Sequence, residues 1–152
     1  MIASRLGHHD LVWMLLKRKA SARKRSQHGD TALMMASLRG DREIARMLIE
    51  FGDAELNHKG WAPIHYAAFE NHPEVIRYLV AKGADKDALA PNGFSALMLA
   101  ARGGHLEAAK ALLYDDADVQ VKGPAGETAL QIARKGNHAE LAELLKRAGA
   151  VE

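Results

Sequence analysis

The chain has 152 residues and a formal net charge of +2; 48% of its residues are hydrophobic, 5% are aromatic and none is cysteine. The missing cysteines exclude a disulfide framework and cysteine-based zinc sites, and leave cytoplasm and bacterial periplasm both open. No apolar run approaches the ~18 residues of a membrane span, and the length fits one folding unit with an Ala-, Leu-, Ile-, Val- and Met-rich core.

In chain order, residues 1–28 read as a partial unit. Met1–Leu6 supplies the end of one helix, Gly7 a turn, and a second helix runs to Lys19. The next unit, 29–59, opens on Gly29. Thr31 stands at a helix N-cap, Ala36 lies inside the first helix, Gly40 is the turn, and Ile44, Met47 and Leu48 mark the second helix. Unit 60–92 has Ala62 at the cap site with Pro63 next, where a first-turn proline is tolerated. Ala67, the turn residue Asn71, and Val75, Tyr78 and Leu79 follow. Unit 93–125 repeats the frame with Ser95, Ala100 and Gly104, and unit 126–152 with Thr128, Ala133, Asn137, Leu141 and Leu145. Gly and Asn suit the left-handed turn between antiparallel helices.

Gly60, Gly93 and Gly126 are each 33 residues apart, and a fixed period of this length marks a stacked repeat architecture. Neither helix of a unit can bury its apolar face alone, so stacking makes the core and leaves an extended concave wall. From Gly29 to Gly60 the spacing is 31, and the shortfall falls between Gly52 and Gly60. It predicts a shortened connection there. Gln131, Arg134 and Lys135 give the last unit a polar outer face, as a C-terminal cap needs. No such device precedes the first unit, where Trp13 is expected to be exposed. The reading there is of a stack that continues upstream or is covered by a partner, and that frays first.

The motifs carry a family likeness. TALM at 31–34, APIH at 62–65, SALM at 95–98 and TALQ at 128–131 stand where the ankyrin repeat has T-P-L-H. GHHD at 7–10, NHPE at 71–74 and GHLE at 104–107 match its G-H-L-E turn, and GAD stands at 83–85. The chain resembles an ankyrin-repeat protein over nearly its whole length, and its abbreviated tetrapeptides look more like the bacterial members. The resemblance implies an all-α solenoid of stacked helix–turn–helix pairs with short β-hairpin fingers. It also implies a single domain over 1–152 and a non-catalytic, monomeric adaptor without cofactors. Only His65 of the tetrapeptide histidines is kept, so the family's local hydrogen-bond network is expected to be largely absent.

Function is expected on the concave face. Family members meet partners with finger tips and the ends of first helices. The matching positions place Trp61, Phe69 and Phe94 together, with Leu38, Arg39, Lys59 and Arg102 around them, a set suited to a protein or peptide with acidic and apolar groups. A second candidate is electrostatic. Residues 1–50 hold ten Lys/Arg against five Asp/Glu. Lys17, Arg18, Lys19, Arg23, Lys24 and Arg25 form an acid-free run that could grip nucleic acid or another polyanion. The run lacks interleaved aromatics, which places nucleic acid second. His8, His72, His105 and His138 recur in one phase, a repeat apart, and read as structural rather than metal-binding; no nucleophile elbow or phosphate loop is present.

Overall fold

The computed structural model describes residues 1–151. Ten α-helices form among them, in five antiparallel pairs. They are α1 (Ile2–Leu6) with α2 (His9–Lys17), α3 (Ala32–Arg39) with α4 (Arg42–Glu50), α5 (Pro63–Phe69) with α6 (Pro73–Ala81), α7 (Ala96–Gly103) with α8 (Leu106–Tyr114), and α9 (Ala129–Lys135) with α10 (Ala139–Arg147). The odd-numbered helices stack on one another as one layer and the even-numbered helices as a second.

Capping marks where α3, α5, α7 and α9 start. Thr31 Oγ1 accepts from Met34 N–H and Ser95 Oγ from Met98 N–H, both at 3.3 Å, and Thr128 Oγ1 accepts from Gln131 N–H at 3.5 Å. A return bond closes three of the caps: Thr31 N–H donates to Met34 Sδ, Ala62 N–H to His65 Nδ1 and Thr128 N–H to Gln131 Oε1. The local network expected to be largely absent is therefore retained in three units, by the kept His65 and by Met34 and Gln131 as substitute acceptors. Helix ends follow the turn residues: Gly7, Gly40, Asn71, Gly104 and Asn137 all take positive φ. Glycine relieves the Cβ penalty there, and asparagine is the tolerated alternative.

Ala36, Ala67, Ala100 and Ala133 are fully buried, which lets adjacent first helices approach closely. Leu48, Leu79, Leu112 and Leu145 fill the space between the layers at 0–3% exposure, whereas Leu11 and Leu15 on α2 remain 39% exposed. Less burial means a lower local opening free energy. Amide exchange followed by mass spectrometry is therefore expected to be faster across α1 and α2 than across α7 and α8; equal protection would contradict this. At the other end Arg134 is exposed at the outer face, where the α7 residue in its register, Ala101, is fully buried; Lys135 is exposed as its counterpart Arg102 is.

The β-hairpin fingers do not form. Among the described residues there is no β-strand, only an isolated antiparallel bridge between Leu89 and Ser95. Three fingertips close with two backbone bonds each. Ser26 N–H donates to Asp30 O and Gly29 N–H to Ser26 O, and the same pair joins Ala90, Gly93 and Phe94, and Gly123, Gly126 and Glu127. No further backbone bonds flank these turns to extend a ladder. Side chains tie successive connections instead: Asn57 Oδ1 accepts from Asp85 N–H at 2.7 Å and Asp87 Oδ1 from Asp118 N–H at 2.8 Å.

The short second unit has a specific anatomy. After four of the second helices an alanine N–H returns to a leucine carbonyl five residues back: Ala20 to Leu15, Ala84 to Leu79, Ala117 to Leu112 and Ala150 to Leu145. After α4 the bond runs from Ala54 to Leu48, one residue longer. Beyond it, Asn57 is three residues from Gly60, whereas Asp87 and Gln120 are six from Gly93 and Gly126. One residue gained and three lost give the 31-residue spacing. The 57–61 turn makes no paired backbone bonds of the kind that close the other three.

Candidate functional site

Leu38 at the end of α3, Trp61 before α5, and His65, Tyr66 and Phe69 on α5 line one groove of about 290 Å³. The cap explains how the sequence builds it. His65 is fully buried, accepts from Ala62 N–H at 2.9 Å and donates through Nε2 to Ala88 O at 2.8 Å, which fixes the entry of α5. Trp61 is half-buried, its ring edge-on to His65 with centroids 5.9 Å apart and tilted against Tyr66 at 5.9 Å. The Tyr66 hydroxyl donates to Asp30 Oδ1 at 2.8 Å, and burial together with that carboxylate pushes its pKa up to about 12. Phe69 is 53% exposed on the same helical face, three residues on from Tyr66. Burial holds the His65 imidazole below the ordinary histidine value, outweighing the bonds to Ala62 and Ala88.

The sequence-predicted set is only partly gathered. Leu38, Trp61 and Phe69 share the groove. Phe94 does not line it; half-buried, it packs on the core with the Arg102 guanidinium 5.9 Å from its ring centroid. Arg39 is exposed and turns its guanidinium toward the Gly7 turn, and Lys59 is exposed at the shortened tip. Tyr66 and His65 complete the groove and were not in the predicted set. The signal available for Tyr66 was its spacing from Phe69. A neighbouring groove of about 330 Å³ lies one helix pair toward the N-terminus, lined by Met1, Ile2, Arg5, Ser26, His28, Asp30 and Met35.

The basic run is partly engaged. Arg23 donates to Asp53 O at 2.8 Å and pairs with the Asp53 and Glu55 carboxylates, and Arg25 pairs with Glu55 at 3.7 Å. Lys17 lies over the Trp13 ring at 5.0 Å, while Arg18, Lys19 and Lys24 are exposed. Trp13 is half-buried rather than exposed, because Phe51 of the next unit packs edge-on against it at 5.0 Å.

The phased histidines have a structural task. His72, His105 and His138 each donate through Nε2 to a carbonyl of the preceding first helix: Leu38 O at 3.0 Å, Phe69 O at 2.9 Å and Arg102 O at 3.4 Å. Asp41 replaces the histidine in the second pair and takes a bond from His9 at 3.0 Å. No group of three or more His, Asp or Glu side chains among the described residues could hold a metal ion. No helix among them is long and apolar enough to cross a membrane.

A family model for ankyrin repeats in three copies matches residues 1–90 and again residues 83–151. The chain is 35% identical over 79 residues to protein phosphatase 1 regulatory subunit 27 of Homo sapiens, a match covering 50% of this chain and 51% of the relative. It is 39% identical over 56 residues to the Notch-regulated ankyrin repeat-containing protein of Homo sapiens (36% of this chain, 49% of the relative). It is 32% identical over 76 residues to Notch-regulated ankyrin repeat-containing protein A of Danio rerio (49% and 68%). The chain thus spans about half the length of the human relatives it matches. None of these relatives is bacterial, and the bacterial look of the tetrapeptides gains no support from them. With both halves of the chain matched and each helix pair stacked on the next in one register, this protein belongs to the ankyrin-repeat family.

Proposed function

We propose that the chain, acting as a monomer, holds a partner protein or peptide on its concave face, in the groove formed by Leu38, Trp61, Tyr66 and Phe69. One observation carries this reading. Phe69 stays half-exposed beside an open groove walled by aromatic and aliphatic side chains. Buried aromatic anchors of this kind dominate interface energetics. Lys59 and Arg102 nearby favour a partner that carries acidic groups as well. The polyanion reading is weaker, because Arg23 and Arg25 already face Asp53 and Glu55.

The test is capture of partners from lysate by wild type, by Trp61→Ala/Phe69→Ala and by Lys24→Glu/Arg25→Glu. Loss of a captured protein with the first variant alone, persisting at moderate salt, is the expected result. Loss with the second variant alone, and wash-off by salt, would transfer the function to residues 17–25.

A further inference from the structure

One position recurs near the C-terminal end of every first helix, two residues before the turn glycine or asparagine. On α1, α3, α5, α7 and α9 it is occupied by Arg5, Leu38, Phe69, Arg102 and Lys135. These five helices stack in that order. The row therefore reads cation, apolar, apolar, cation, cation. Its middle is rigid, because the carbonyls held by His72, His105 and His138 belong to Leu38, Phe69 and Arg102 themselves. Arg5 lines the neighbouring groove with Ile2 and Met35, so the wall is continuous from one groove to the next.

Resting on the reading of the groove as a protein-binding site, we infer that the ligand is an extended peptide with an acid, two apolar residues and a second acid, each at every third position. Packed helix axes lie about 8–10 Å apart, and an extended chain rises about 3.3 Å per residue. Three residues therefore advance one rung, and the two apolar side chains meet Leu38 and Phe69 while the terminal acids reach Arg5 and Arg102. The local acids agree with this order. Asp30 is engaged by Tyr66 and Ser26, while Glu70 stands exposed beside Phe69 and disfavours an acid at the ligand's centre.

Fluorescence anisotropy with labelled synthetic peptides tests the inference. One peptide carries Asp, Leu, Leu and Asp at every third position on a Ser/Gly background. A second moves the two Leu to alternate positions, a third moves both Asp between the Leu, and a fourth is a helix-forming peptide with Leu seven residues apart. The first is expected to bind about tenfold more tightly than the others, and Arg5→Glu or Arg102→Glu to remove about that advantage, with circular dichroism confirming that the variants fold. Equal binding of all four, abolished by Trp61→Ala/Phe69→Ala, overturns the spacing and leaves the groove intact as a site. Preference for the helical peptide overturns the extended mode. Failure of the first peptide to bind overturns the inference outright, and the groove reading then stands or falls on partner capture alone.

Discussion

Replacing His65 with alanine is expected to lower the unfolding free energy by about 3 kcal/mol. Two losses combine. Ala62 N–H and Ala88 O lose the imidazole that joins them, and a buried polar group left unpaired costs about 1–3 kcal/mol. The vacated ring also leaves a cavity in a site with no solvent exposure, beneath the edge of Trp61. The sign of the pH dependence follows from burial. The folded pKa lies below the ordinary 6.5, so above that value both states are neutral and the full stability is present. As the pH falls from 6.5 toward the depressed folded value, the unfolded chain takes a proton that the folded chain refuses, and stability declines. Urea titrations of wild type and His65→Ala above and below 6.5 measure both effects. The difference between the two proteins should shrink on the acid side; a difference below about 0.5 kcal/mol at neutral pH would refute the structural role assigned to this side chain.

Ala100→Leu is expected to destabilise the stack by about 2–3 kcal/mol, the upper range for overpacking a filled core. Ala36, Ala67, Ala100 and Ala133 have no exposed surface, and α7 is packed against both α5 and α9. A leucine at Ala100 must push these helices apart or adopt a strained rotamer. Because each repeat contacts only its neighbours, the damage should be greatest in α5–α9 and least in α1–α2. The control is Ala81→Leu at an exposed position of α6, expected to lie within about 0.5 kcal/mol of wild type. Chemical denaturation of the three proteins compares them directly. Equal midpoints for both variants would mean that the close approach of first helices is not needed.

The helix pairs and their turns were legible because the residues that make them act locally. Thr31, Ser95 and Thr128 cap their own helices, and Gly40, Asn71 and Gly104 take the left-handed turn that follows a first helix. The shortened connection was legible as a count, but not its division into one residue gained after α4 and three lost before Gly60. That division depends on which carbonyl Ala54 N–H reaches. The hairpin fingers failed because a family likeness does not say how many backbone bonds a particular turn will close. The groove was half legible. Trp61 and Phe69 were found by register, but register alone could not show that Phe94 packs on the core under Arg102 while Tyr66 turns outward to bond Asp30. The basic run misled for a similar reason. Its acids, Asp53 and Glu55, are about a repeat away in sequence and adjacent only after stacking.

Hydrogen exchange of the chain with and without its captured partner is the most direct test of the concave groove as the binding site. Added protection should appear in residues 35–40 and 58–69, with the second helices α4, α6 and α8 little changed. Protection confined to residues 9–25, or to the outer layer of helices, would show that the partner binds elsewhere.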